Sequence, residues 1–211
     1  LQRVRTRAFE ERVAHAEQIE YLAYHDNLTD LPNRALFSRL LLQGMQYARR
    51  YDKQLALLFL DLDHFKTIND SLGHDVGDEL LRELGKRLRH SVRESDIVAR
   101  LGGDEFVIML PEINEGLQVQ SVADKILTAV VSPFTLAGQQ FRISVSIGAA
   151  LYPLDGEDEQ TLMKNADAAM YYAKERGRNN FQFYSEELNR GFHGGPGSGS
   201  RAKAETSMPD L

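Results

Sequence analysis

Ile97-Val98-Ala99-Arg100-Leu101-Gly102-Gly103-Asp104-Glu105-Phe106-Val107-Ile108-Met109-Leu110 holds two apolar runs joined by a Gly-Gly pair and two carboxylates. Runs rich in Val and Ile that meet at glycines predict a β-hairpin. Gly102 and Gly103 leave the tip without side chains, so another molecule can approach the backbone there. Asp104 and Glu105 stand beside that gap at what reads as an exposed tip. A solvent turn has no need of paired acids, yet a Gly-Gly turn alone does not separate a functional tip from a plain one.

A second acidic cluster lies upstream. Leu55 to Leu60 reads LALLFL, an apolar run of strand length, and it ends in Asp61-Leu62-Asp63. A carboxylate at the end of a buried strand, near a hairpin carrying two more, suits a hard cation such as Mg²⁺. The bland alternative is that these aspartates end the strand and cap the helix starting near His64-Phe65-Lys66. That reading is adopted for Asp63 and rejected for Asp61.

The rest of the chain alternates helices and strands. Leu1 to about Tyr24 is charged and helical in pattern, with Val4, Ala8, Val13, Ala16, Ile19, Leu22 and Ala23 forming a sparse apolar stripe. That stripe suits packing on its own domain and a short coiled coil equally. Pro32 fits the first turn of a helix to about Arg50, with Leu36, Phe37, Leu40 and Leu41 inward. Further helices are expected near Phe65–Ser71, Val76–Val92, Leu117–Val131 and Glu159–Arg176, the last closed by Gly177. Strands are expected at Phe141–Leu151 and Phe181–Tyr184. From Gly191 the apolar content collapses, which predicts a flexible tail or linker.

At 211 residues, 42% of them hydrophobic, the chain suits one domain with appendages. It has no cysteine, which excludes disulfides and thiolate metal sites and fits a reducing compartment. No apolar run approaches the roughly 18 residues a membrane-spanning helix needs. The formal charge of −6 speaks against a nucleic-acid surface but leaves room for a nucleotide substrate. The first residue is Leu1 rather than Met, so a fragment is expected, which leaves room for a targeting or sensory segment upstream.

Five blocks now fall into order: DNLTDLPNR from Asp26, DLDHFKTINDSLGHDVGD from Asp61, RLGGDEF from Arg100, SVSIGAALYP from Ser144 and ADAAMYYAKERGRN from Ala166. From Asp26 to Tyr184, about three quarters of the chain, the sequence resembles a GGDEF domain, the catalytic module of diguanylate cyclases. The resemblance implies an α/β fold: a central, mostly antiparallel sheet flanked by helices, related to the nucleotidyl-cyclase and polymerase palm. The expected division is a signalling or coiled-coil helix over 1–24, the GGDEF domain over 25–188 and the tail over 189–211.

The implied reaction joins two GTP into cyclic di-GMP and releases two pyrophosphates. Such transfer rests on positioning and on charge neutralisation, with metal ions between carboxylates. The family pattern assigns Asp61, Asp104, Glu105 and the Leu62 carbonyl to Mg²⁺, with Mn²⁺ as an alternative. Asp104 also falls where the family has the base for the 3′-hydroxyl, and base and metal roles are not separable here. A helix starting after Asp63 would leave the N–H groups of Phe65 and Lys66 free for phosphate. Lys66 would steady charge in the transition state, and Gly102 and Gly103 would border the substrate.

Lys174 and Arg178 lie four apart near a helix end, where cations are favourable for stability alone. In the family block they match phosphate-holding residues. Base selection would fall to Asn69 and Asp78, since a carboxylate can accept from guanine N1–H and its amine while adenine offers neither. His74 matches a further substrate contact. Arg93-Glu94-Ser95-Asp96, with five residues between Asp96 and Gly102, resembles the family's inhibitory RxxD site, where Arg93 and Asp96 bind product.

The resemblance thus implies GTP as substrate, cyclic di-GMP as product and inhibitor, a homodimer for catalysis, and no nucleic-acid or membrane contact by this fragment. A cytoplasmic location is expected, either free or as the cytoplasmic part of a larger membrane-anchored protein. The chief rival is a degenerate module that binds GTP or cyclic di-GMP to regulate a neighbouring domain, and the intact Asp61, Lys66, Asn69 and Asp78 argue against it. In a third reading the domain is a dimerising segment of a two-enzyme protein, since FYSEELNR resembles the connection to a following phosphodiesterase domain. Adenylyl cyclase is disfavoured by the guanine-type pair.

Overall fold

β1 (Gln54–Leu62) is the strand on which the molecule is built, because its side chains feed two separate cores. Leu55, Leu57 and Phe59 point to one face of the sheet, while Ala56, Leu58, Leu60 and Leu62 point to the other. A strand buried on both faces reads as a continuous apolar run, which is the LALLFL pattern. The computed structural model describes residue 18 and residues 21–114, 116–136 and 138–185. Residues 21–24 are helical. The rest of the 1–24 stripe, apart from residue 18, and the 189–211 tail lie outside the described residues.

α1 (Arg34–Tyr51) precedes β1, and α2 (Phe65–Leu72) and α3 (His74–Ser91) follow it. Then come the hairpin strands β2 (Ile97–Gly102) and β3 (Glu105–Ile113), α4 (Gly116–Val131) and the short strands β4 (Phe134–Leu136) and β5 (Gln139–Phe141). β6 (Val145–Tyr152), α5 (Glu159–Glu175) and β7 (Phe181–Phe183) complete the chain. The main sheet has the order β2-β3-β1-β6-β7, and β4 and β5 form a separate two-stranded ribbon. All neighbours in the main sheet are antiparallel except β6 and β7. The expected mostly antiparallel sheet flanked by helices is therefore present.

Helices cover both faces. Phe37, Leu41, Met45 and Ala48 of α1 join Leu162, Ala166 and Met170 of α5 against Leu57 and Phe59. Leu80, Leu84 and Leu88 of α3 join Val119, Ala123 and Ile126 of α4 on the other face. α5 lies very close to β6: a Cβ on Gly148 would sit 2.0 Å from the Met170 backbone nitrogen. The alanine-rich stripe of α5 and this glycine let the two backbones meet, which fixes where the C-terminal turn of α5 ends.

Three local expectations are corrected. Pro32 is not in the first turn of α1; Asn33 is the N-cap, its side chain accepting from Leu36 N at 3.1 Å. Pro32 instead pairs with His25 in an isolated bridge, and its carbonyl accepts from Arg100 N. The run Phe141–Leu151 is not one strand: its start belongs to the β4–β5 ribbon, and Val145 opens β6. The third concerns Asp63, which caps nothing, since His64 in the left-handed region precedes α2 without a side-chain cap.

Candidate active site

Antiparallel pairing puts Asp61, at the end of β1, directly opposite Glu105, the first residue of β3. Asp61 continues the Leu55, Leu57, Phe59 alternation and so faces α1 and α5. Lys174, in the last turn of α5, reaches it with Nζ 2.6 Å from Oδ1. On the same face Arg34, first residue of α1, comes within 3.9 Å of Glu105.

The hairpin turn is Gly103-Asp104, with φ of 142° at Gly102 and 50° at Gly103, conformations that exclude most side chains. Both glycines are exposed, but Asp104 is half-buried rather than fully exposed as the turn sequence suggests. Its charge acts on both of the other acids. Arg100 braces the tip from behind: its Nε and Nη2 donate to the Gly103 carbonyl at 3.1 and 2.8 Å. Its Nη1 donates to both carboxylate oxygens of Asp26 at 2.9 and 3.0 Å. Burial works to raise the Asp26 pKa, but hydrogen bonds from Thr29 and Arg100 outweigh it and hold the group below the usual range.

The acids at the sheet end repel one another. Burial pushes the Asp61 carboxyl up to about 6, against the pull of the Lys174 ammonium and with further upward pressure from Asp104 and Glu105. Glu105 is raised by burial and then by Asp167 of α5, a carboxylate with no signature of its own in the sequence. Asp167 is raised too, again by burial. Among the described residues no three His, Cys, Asp or Glu side chains converge on one point. With Lys174 on Asp61 and Arg34 beside Glu105, the acids are held by protein cations instead. Concentrated negative charge on oxygen donors is nonetheless the chemistry that suits a hard divalent cation.

Asp63 has a different role from the cap expected of it. It is 4% exposed and accepts from Ser144 Oγ at 2.6 Å, Ser146 Oγ at 2.7 Å and Asn179 N at 3.1 Å. It thereby ties the end of β1 to β6 and to the turn after α5. That turn carries Arg178 and Asn179, both at positive φ. Arg178 is thus beyond the helix, exposed, and held by its neighbour's bond to Asp63.

On the opposite face, α2 begins at Phe65, and the first intrahelical bond runs from Ile68 N to the His64 carbonyl. The N–H groups of Phe65 and Lys66 have no partner within the helix. Lys66 is exposed, Phe65 buried. His74 is exposed in the first turn of α3, and Asp78 is half-buried one turn on. Asn69 points its Oδ1 at Gly77, and among the described residues it is the buried side-chain oxygen without a hydrogen-bond partner.

Arg93 and Asp96 form the tight turn between α3 and β2: Arg93 N donates to Asp96 Oδ2 at 2.8 Å, and Asp96 N to the Arg93 carbonyl. Both residues line a cavity of about 620 Å³ that continues to Pro111, Ser121 and Lys125. The structure thus brings Asp61, Asp104, Glu105 and Lys174 together at one sheet end, and keeps Arg93 and Asp96 apart in their own cavity.

Comparison with known proteins fits this architecture. Residues 23–180 match the model for the diguanylate cyclase, GGDEF domain. The chain is 48% identical over 176 residues to the bifunctional diguanylate cyclase/cyclic di-GMP phosphodiesterase MucR of Pseudomonas aeruginosa, covering 83% of this chain and 25% of that protein. It is 42% identical over 175 residues to the cyclic di-GMP phosphodiesterase NbdA of the same organism, 83% of this chain and 22% of the relative. The diguanylate cyclase TpbB, also from P. aeruginosa, is 44% identical over 161 residues, 76% of this chain and 37% of its own length. A solved structure of the TpbB GGDEF domain superposes with a TM-score of 0.78 at 41% identity, covering 80% of this chain and 99% of that one. The chain belongs to the diguanylate cyclase GGDEF family. It spans well under half the length of these curated relatives.

Proposed function

We propose that this chain condenses two GTP molecules into cyclic di-GMP, releasing two pyrophosphates. The observation that carries the reading is the sheet end itself, where Asp61, Asp104 and Glu105 crowd their charges beside Lys174. Asp61, Asp104 and Glu105, with the Leu62 carbonyl, would hold divalent metal, Mg²⁺ or Mn²⁺. Bound there, such ions neutralise triphosphate charge and lower the pKa of an attacking hydroxyl. Phosphate oxygens are met by the N–H groups of Phe65 and Lys66, by the Lys66 ammonium, and by Lys174 and Arg178. Gly102 and Gly103 let the nucleotide lie against the hairpin backbone. Asn69 and Asp78 read the guanine edge, with His74 beside them, and Asp104 accepts the proton of the ribose 3′-hydroxyl.

One domain holds one GTP, so two copies of the chain must meet face to face. Product returns to the cavity at Arg93 and Asp96 and slows the enzyme. The match to NbdA, a protein named for phosphodiesterase activity, favours one alternative, a GTP-binding module that regulates a neighbouring domain. Incubating the purified chain with GTP and Mg²⁺ separates the two. Cyclic di-GMP and pyrophosphate in a 1:2 ratio are expected for a cyclase, and GTP bound but unconverted for a regulatory module. Asp104→Asn should retain the fold and lose nearly all synthesis; near-normal synthesis by that variant would remove Asp104 from the chemistry.

A further inference from the structure

The helix α3 contains a glycine in its first turns, Gly77, where helix propensity alone would disfavour it by about 1 kcal/mol relative to alanine. Gly77 is buried, and its neighbours account for it. A Cβ at this position would lie 1.9 Å from Asn69 Oδ1 and 3.0 Å from Asn69 Cγ, with the Phe65 ring edge at 3.3 Å. The nearest backbone outside α3 itself is not among these contacts. The end of a flexible amide therefore occupies the space a methyl group would take. The oxygen of that amide is buried and has no hydrogen-bond partner among the described residues, and Asp78 follows Gly77 directly in the chain.

We propose that Gly77 is the specificity-determining position of the nucleotide site. Its missing side chain seats the Asn69 amide where it can meet a guanine edge. The inference rests on Asn69 and Asp78 as base readers and adds the residue that sets the Asn69 rotamer. Gly77 touches no substrate; it is a positioning residue. An alanine there turns Asn69 aside at little cost to the fold, since a rotamer change of the flexible amide relieves the overlap. Alanine would meanwhile improve the helix. Stability and base recognition should therefore move in opposite directions, which a packing role alone would not produce.

The test compares the full chain with Gly77→Ala, Asn69→Ala and the double variant. It measures thermal unfolding and the affinities for GTP, ATP and inorganic tripolyphosphate. Gly77→Ala should unfold at the wild-type temperature or above it. It should bind GTP about tenfold more weakly, the order expected for one lost buried contact, and bind tripolyphosphate unchanged. In the Asn69→Ala background the same substitution should cost nothing more, because the group it displaces is gone. Unchanged GTP affinity in Gly77→Ala overturns the proposal. So does equal loss for GTP and tripolyphosphate, a full additional loss in the double variant, or failure of Gly77→Ala to fold. A wild type that prefers GTP over ATP yet forms no cyclic di-GMP would defeat the catalytic reading and leave this one standing; a wild type without that preference defeats this one.

Discussion

At the scale of single residues, Asp61 carries the largest tension. Its carboxyl sits near 6, above the ordinary value of about 3.9, so the folded chain holds a proton that the unfolded chain has released between about pH 4 and 6. The contribution of Asp61 to stability is therefore complete below about pH 4 and is lost as pH rises through 6. Without divalent cations, wild type should lose up to about 3 kcal/mol relative to Asp61→Asn across that window. Urea unfolding of both proteins from pH 4 to 8 measures it, and parallel pH profiles would contradict the assignment. Asp63 stabilises through its hydrogen bonds. Asp63→Ala removes three accepted hydrogen bonds and leaves the Ser146 hydroxyl buried, so it should lower stability by on the order of 3 kcal/mol. A urea midpoint within error of wild type would refute the hub.

Why one aspartate was legible and its neighbour was not follows from sequence distance. A cap is a local signal, read three residues ahead, and Asp63 before a helix satisfies it on paper. Its actual partners are 81, 83 and 116 residues away, and no local pattern contains them. Asp167 escaped for the same reason: its closeness to Glu105 exists only once α5 lies across the sheet.

Among the elements, the hairpin was the clearest in the sequence, because β-branched runs around paired glycines admit few other conformations. The β4–β5 ribbon was invisible, since three residues per strand give periodicity too little to work on. The hairpin does not hold its tip alone. Arg100 joins Asp26, just beyond the helical residues 21–24, to the Gly103 carbonyl. Arg100→Ala should loosen the tip and lower turnover about tenfold or more, while moving the KM for GTP much less. Steady-state kinetics on folded variant checks this, and an unchanged turnover number would mean that the brace is dispensable. The turn at Arg93 and Asp96 is closed by Arg93 N donating to the Asp96 carboxylate and Asp96 N to the Arg93 carbonyl, and leaves Arg93 exposed. Arg93→Ala should keep initial rates and relieve inhibition by added cyclic di-GMP; superimposable inhibition curves would return Arg93 to the ordinary surface.

For the whole molecule, the decisive feature is that Asp61, Glu105 and Lys174, with Asp104 beside them, gather at one end of one sheet. Under the proposed function one chain holds a single GTP, and the reaction needs two. Two copies brought together at these acidic sheet ends would repel each other until cations and substrate are present, so the proposed encounter should be weak and governed by mass action. The most direct measurement is the initial rate of cyclic di-GMP formation at saturating GTP and Mg²⁺, over a wide range of chain concentration, with sedimentation under the same conditions. Specific activity is predicted to rise with concentration and to level off as dimers accumulate. Specific activity that stays constant while the chain sediments as a monomer would contradict a site shared between two domains.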